Sequence, residues 1–152
     1  MHMPEPGPEH EKLKLLAGSW KGEETLFPSP WDPQGGKAEG IVTNAMGASG
    51  FVLVHDYVQR RDGRTTFTGH AVFSWNADAK AYHCHWWDSM GMPPNLFVGN
   101  FTGDTLVMES EGGAGRSRTT WAMKGNRYDF TMEVSPDGSQ WFTFMSGSYA
   151  RS

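Results

Sequence analysis

"RDGRTTFTGHAVFSWNADAKAYHCHWWDSMG", residues 61–91, decides the fold. Two runs rich in Thr, Val, Phe, Tyr and Trp are punctuated by "RDGR", "NADAK" and "SMG". Such runs suit a pleated, half-buried surface, and the Asp, Asn and Gly between them suit tight turns with positive φ or a side-chain cap. The same rhythm continues outward in both directions. Strands are expected at 19–27, 37–46, 51–60, 64–75, 80–88, 95–102, 104–111, 117–124, 127–135 and 140–150, with further turns at "TGD" (102–104), "KGNR" (124–127) and "SPDGS" (135–139). A meander of about ten short strands hides its edges best by closing, so the fold class is all-β, an up-and-down antiparallel β-barrel. "PEHEKLKLLAG" (8–18) reads as a short N-terminal helix. The proline-rich "PSPWDPQGG" (28–36) would cross one mouth, with Trp31 as a lid.

Composition narrows the function. The chain has 152 residues, 13 basic and 17 acidic side chains and a net charge of −4, with no basic cluster. Nucleic acid and anionic membranes demand concentrated positive charge, and both are excluded as expected partners. One domain is expected over 8–152, with 1–7 as a tail. A single cysteine, Cys84, forms no internal disulfide and points to a reducing compartment, hence a cytoplasmic protein. No signal-peptide pattern opens the sequence.

Turn-derived registers place side chains on faces. A two-residue loop at Asp62-Gly63 pairs Val58 with Phe67, Asp56 with Gly69, Val54 with Ala71 and Val52 with Phe73. A four-residue "NADA" loop pairs Phe73 with Tyr82, Ala71 with Cys84, Gly69 with Trp86 and Phe67 with Asp88. The interior then carries Val52, Val54, Val58, Phe67, Ala71, Phe73, Trp75, Tyr82, Cys84 and Trp86. On the other face His55, His70 and His85 fall in one row across three strands, with His83 two residues along. Neighbouring strands lie about 4.8 Å apart, and imidazoles leaning together reach a zinc ion at about 2.0–2.1 Å. A histidine-row zinc protein is therefore one reading.

"LAGSWKGEE" (16–24) resembles the entry of lipocalin-like (calycin) barrels, where a G-x-W opens the first strand and an arginine of the last strand covers the tryptophan. Gly18, Trp20 and Arg151 match that pattern as structural residues, and a guanidinium over an indole is favourable. "YHCHWWDSMGM" (82–92), with "GNFTGDTLVMES" and the closing "SYAR", resembles a bacterial lipocalin-like family of unknown function. Its W-x-D-S-M-G run is here Trp86, Asp88, Ser89, Met90 and Gly91. The resemblance implies a barrel and no activity. More distant nitrobindin-like barrels share the ten-stranded plan and hold haem through a histidine near the C-terminus. No histidine follows His85 here, so haem is disfavoured.

A ten-stranded barrel is wider than the roughly eight strands that side chains just fill. The leading expectation is thus a protein that binds a small apolar molecule in its cavity. The lining residues would be Trp86, Asp88, Ser89, Met90, Tyr82, Phe67, Phe73, Trp75 and Asp56, with Trp20, Phe101, Phe130 and Met132 as further aromatic and thioether walls. Asp88 is either the orienting polar group of that pocket or the cap of the "SMGMPP" turn. Asp56 and Asp88 stand about 12 Å apart by strand spacing and rise, beyond the roughly 5–9.5 Å of a glycosidase pair. No nucleophile elbow surrounds Ser89, so a binding protein is expected rather than an enzyme. The alternatives are the zinc protein and a non-catalytic, dimer-forming interaction module that uses the apolar residues of the histidine face.

Overall fold

The computed structural model describes residues 2–112 and 115–152. Ten antiparallel strands close into one barrel: β1 (Gly18–Leu26), β2 (Gly36–Gly47), β3 (Val52–Arg61), β4 (Arg64–Asn76), β5 (Ala81–Asp88), β6 (Asn95–Thr102), β7 (Thr105–Gly112), β8 (Gly115–Met123), β9 (Arg127–Ser135) and β10 (Phe142–Arg151). Each pairs with its sequence neighbour, and β1 pairs with β10, so no edge is left open. The architecture is the one expected from the turns. The helix is shorter than its pattern: α1 spans Pro8–Lys12 and passes into a 3-10 turn, Leu13–Leu16. None of the described helices is long and apolar enough to cross a membrane.

One end of the barrel is stoppered. Leu13 and Leu16 are fully buried beside Trp20, Val42, Leu53, Phe73, Leu106, Met108 and Tyr128. The Leu16 carbonyl accepts hydrogen bonds from Trp20 Nε1 at 2.9 Å and Asn44 Nδ2 at 2.8 Å, which ties the plug to β1 and β2. Arg151 lies over the Trp20 ring at 4.2 Å and donates to the Ala17 carbonyl at 2.8 Å. Gly18 has φ +124°, and a Cβ there would stand 2.5 Å from Arg151 Nη1, so the corner requires glycine.

Two registers differ from the expected ones, with different consequences. The Asp62-Gly63 loop pairs Arg61 with Arg64 as its two-residue length dictates, both loop residues having positive φ. Between Arg60 and Gln59 the pairing then slips by one, leaving Thr66 as the extra residue of a β-bulge. Thr66 Oγ1 lies 3.3 Å from both the backbone and the side-chain oxygen of Gln59. Beyond the bulge Tyr57 faces Gly69, His55 faces Ala71 and Leu53 faces Phe73. Every β3 side chain therefore turns to the opposite face. Val52, Val54 and Val58 are outside, not inside; Leu53, His55, Tyr57 and Gln59 are buried within. The second loop is Ala77–Lys80 rather than 76–79, closed by Lys80 at φ +52° and by Ala79 N donating to Asn76 Oδ1. That shift is two in register, so β4 and β5 keep their faces: Trp75 pairs with Tyr82, Phe73 with Cys84 and Ala71 with Trp86.

Candidate functional site: the open end of the barrel

The end opposite α1 is built differently. Inward-facing Phe67, Trp86 and Asp88, together with Phe130 and Met132 of β9 and Phe144 of β10, are only half-buried, whereas the layer below them is closed. The result is an aromatic mouth over a packed floor. Trp86 crosses it: its ring lies 6.5 Å from Phe67 at 19°, 6.5 Å from Tyr57 and 6.1 Å from His55. Trp121 joins Phe73 and Phe130 at ring distances of 5.5 and 5.2 Å. Trp31, from the β1–β2 loop, packs edge-on against Phe144 at 6.0 Å, and Arg61 holds that loop through Asp32 at 2.9 Å.

The Trp86–Gly91 run forms a rigid corner. Asp88 Oδ2 accepts from Trp86 Nε1 at 2.8 Å, and Asp88 Oδ1 accepts from Met90 N at 2.9 Å, so the one carboxylate both aims the indole and caps the turn. Ser89 N donates to the Thr68 carbonyl at 2.9 Å, and Thr68 N donates back to Ser89 Oγ at 3.1 Å. Gly69 lies directly beneath the Trp86 ring, where a Cβ would stand 2.5 Å from Cζ2 and 2.8 Å from Cζ3. Met90 and Met92 sit exposed on the loop beyond.

Deeper in the barrel is a buried polar network. The Glu24 carboxylate is fully buried and accepts from Tyr57 Oη at 2.7 and 2.8 Å, from Gln59 Nε2 at 3.3 Å and from Tyr149 Oη. Glycines make the room: a Cβ on Gly40 would press on Glu24 Cδ and Tyr149 Cε1, each at 2.8 Å. Burial raises the Glu24 pKa above its ordinary value, and the three hydrogen bonds only partly offset this. Burial and the neighbouring Glu24 carboxylate push Tyr57 and Tyr149 up, so both hydroxyls keep their protons. Beside this network His55 Nδ1 lies 2.7 Å from Asn44 Oδ1. Burial lowers the His55 pKa to about 4, leaving the ring neutral near pH 7. Burial likewise pushes Cys84 up to about 12, as suits an unreactive core thiol.

The residues expected from sequence to line a pocket divide into three groups. Phe67, Trp86, Asp88, Ser89 and Met90 do gather at the open end. Tyr82, Phe73 and Trp75 lie at the plugged end: Phe73 is sealed in the core, and Tyr82 donates to the Glu9 carbonyl at 2.7 Å. Trp75 and Tyr82 border a separate surface cleft of about 390 Å³ against α1, with Phe101 and Lys12. Asp56 is outside the barrel, paired with His70 at 2.7 Å, so it shares no face with Asp88. The histidine row is corrected for the same reason. The bulge turns His55 inward, while His70, His83 and His85 remain on the outer face. Among the described residues no group of three or more His, Cys, Asp or Glu stands close enough to hold a metal ion. Sequence reasoning missed Glu24, Tyr57, Gln59 and Tyr149 as an interior polar group, and placed His55 on the outer face. Glu24 was reachable, since it follows Trp20 by two alternations of the strand; the β3 residues were hidden by the bulge.

The family model described as "Protein of unknown function (DUF1579)" matches residues 5–151. No curated protein matches the chain. Among solved structures, the crystal structure of Rv2717c from M. tuberculosis is similar with a TM-score of 0.76 and 16% identity, covering 96% of this chain and 98% of that one. At that identity the likeness shows the fold alone, a closed ten-stranded barrel.

Proposed function

The chain belongs to the DUF1579 family of proteins of unknown function, and from that premise we propose that it binds a small apolar molecule in the open half of the barrel. One observation supports the reading: inward-facing Phe67, Trp86, Phe130 and Met132 remain half-buried above a sealed floor. Apolar surface left uncovered inside a rigid wall is where an apolar ligand gains most, because the wall is already ordered. The W-x-D-S-M-G corner serves this role by fixing the Trp86 indole over Gly69. Trp31 and the Met90–Met92 loop flank the entrance as adaptable covers. No acid–base pair or nucleophile is needed for such a role.

The test is calorimetric titration with benzofuran, a flat probe without a hydrogen-bond donor. Saturable binding is expected, weakened about 5- to 150-fold by Trp86→Leu, since about 1–3 kcal/mol of aromatic contact is lost. Absence of binding to the wild-type chain at millimolar probe would overturn the reading.

A second reading concerns the outer face and is compatible with the first. Trp87, Leu96 and Val98 are exposed together on β5 and β6, flanked by His83 and His85. This apolar stripe supports an isologous homodimer.

A further inference from the structure

The exposed apolar side chains are not spread evenly over the barrel. Phe27 and Trp31 lie in the β1–β2 connection, Met90 and Met92 in the β5–β6 connection, and Phe142 opens β10. All five stand at the open end. Trp31 is 65% exposed, Met90 72%, Met92 68% and Phe142 55%. The four strand connections at the α1 end carry no exposed large hydrophobic residue among those described. The strand order sets the three groups on both sides of the mouth, since β1 and β10 are neighbours and the β5–β6 pair lies across the barrel from them.

Each of these connections is ordered, and each by one aspartate. Asp32 Oδ1 accepts from Gly35 N at 3.2 Å, and Asp32 Oδ2 from Arg61 at 2.9 Å. Asp88 Oδ1 accepts from Met90 N, and Gly91 supplies the positive φ of that turn. Asp137 Oδ1 accepts from Ser139 N and Gln140 N, both at 2.8 Å. The apolar tips are thus held out in water, where such surface is unfavourable, and exposed apolar surface gathered in this way marks an interaction site.

Two observations favour a lipid surface as the occupant. The tips are separated by the mouth, so a folded partner would have to match distant points at once. A fluid lipid surface takes in each tip independently, and tryptophan suits the head-group level. Charge then selects the kind of lipid. Along the connections at this end, with the strand residue on either side of each, Arg61 and Arg64 stand against Asp32, Asp62, Asp88 and Asp137. The surplus is negative, so anionic head groups are repelled and a zwitterionic surface fits.

We propose that the rim of the open end docks on a zwitterionic lipid surface through Trp31, Met90, Met92 and Phe142, which sets the mouth against the acyl chains. Docking stands on the rim alone and not on ligand binding in the mouth. Where both hold, an apolar ligand passes from lipid to barrel without crossing water.

Cosedimentation with phosphatidylcholine vesicles tests the docking. The wild-type chain is expected to partition onto the vesicles at millimolar lipid. Trp31→Ser should weaken partitioning about tenfold, the loss of one large side chain from lipid contact. The triple variant Trp31→Ser, Met90→Ser, Met92→Ser should not partition. Met3→Ser, which removes an exposed apolar side chain away from the rim, should change nothing, and adding phosphatidylserine should not strengthen binding. In the wild-type chain alone, phosphatidylcholine brominated on its acyl chains should quench tryptophan fluorescence, a readout independent of any variant.

No partitioning of the wild-type chain at millimolar lipid overturns the proposal, as does binding that persists in the triple variant. Binding that appears only with phosphatidylserine and vanishes in salt overturns it too. Self-association in lipid-free buffer that Trp31→Ser abolishes, without vesicle binding, assigns the rim to a second copy and equally overturns it. Benzofuran binding in water without vesicle docking leaves the mouth reading standing and removes this one; vesicle docking without benzofuran binding does the reverse.

Discussion

Replacing Gly69 by alanine adds a single carbon, and the structure specifies what it strikes. The new Cβ would stand 2.5 Å from Cζ2 and 2.8 Å from Cζ3 of Trp86, inside the van der Waals distance of about 3.5 Å or more. Gly69 does not have a positive φ, so the backbone itself accepts alanine. The penalty is therefore steric and local to the indole. Overpacking costs about 1–3 kcal/mol, and swinging the ring away breaks its hydrogen bond to Asp88, worth roughly 0.5–1.5 kcal/mol in a half-buried setting. Alanine recovers about 0.5 kcal/mol through the lower entropy of the unfolded chain. A net loss of about 2–3 kcal/mol, or roughly 5–10 °C in Tm for a chain of this size, is expected. Urea unfolding measures it, and near-ultraviolet circular dichroism reports the displaced tryptophan. The discriminating step is the same change in Trp86→Leu, where the clashing ring is gone and Gly69→Ala should be nearly neutral. A coupling of about 2 kcal/mol is expected. If Gly69→Ala costs the same in both backgrounds, the indole does not lie over Gly69 and the account of the W-x-D-S-M-G corner is wrong.

Other expectations follow from the polar interior and the outer face. Glu24 has a raised pKa in the folded state, so between its unfolded value and the raised one the native chain holds the extra proton and stability falls as pH rises. Glu24→Gln should therefore gain Tm relative to wild type on going from pH 5 to pH 9; a constant or shrinking difference contradicts the burial argument. His55 acts with the opposite sign, its contribution being lost as pH falls from about 6.5 toward 4, but it is common to both chains and cancels in the comparison. On the outer face, sedimentation velocity at micromolar concentration should show a dimer that Trp87→Lys converts to monomer with unchanged Tm; a wild-type monomer would remove the dimer reading.

The barrel was readable because its turns are local. Asp62-Gly63, Gly103, Gly125 and Gly138 each take the positive φ that a tight connection requires, and that preference belongs to the residue itself. The floor was partly readable: Trp20 and Arg151 carry the pattern that the calycin resemblance implied, and they meet in space. The turn register set Gly69 directly opposite Trp86; in the structure Gly69 pairs with Asp88, and the indole leans diagonally over the glycine, a contact that the pairing alone does not give. The buried polar network joins β1, β2, β3 and β10, and no spacing along the chain brings Glu24 to Tyr149.

The sequence by itself determined the number of strands, their antiparallel order and the faces of β4 and β5, where an error of two in register changes no face. Only the tertiary structure decided the face of β3. One extra residue, Thr66, sits in a bulge held by Gln59 across the strand, and nothing in the local turn announces it. Because side chains alternate with period two, that single residue moved His55 from a supposed metal row outside the barrel to its buried interior, and sent Asp56 out to His70. Short-range chemistry fixes where a chain turns; which face meets the interior depends on cross-strand contacts that exist only once the barrel has closed.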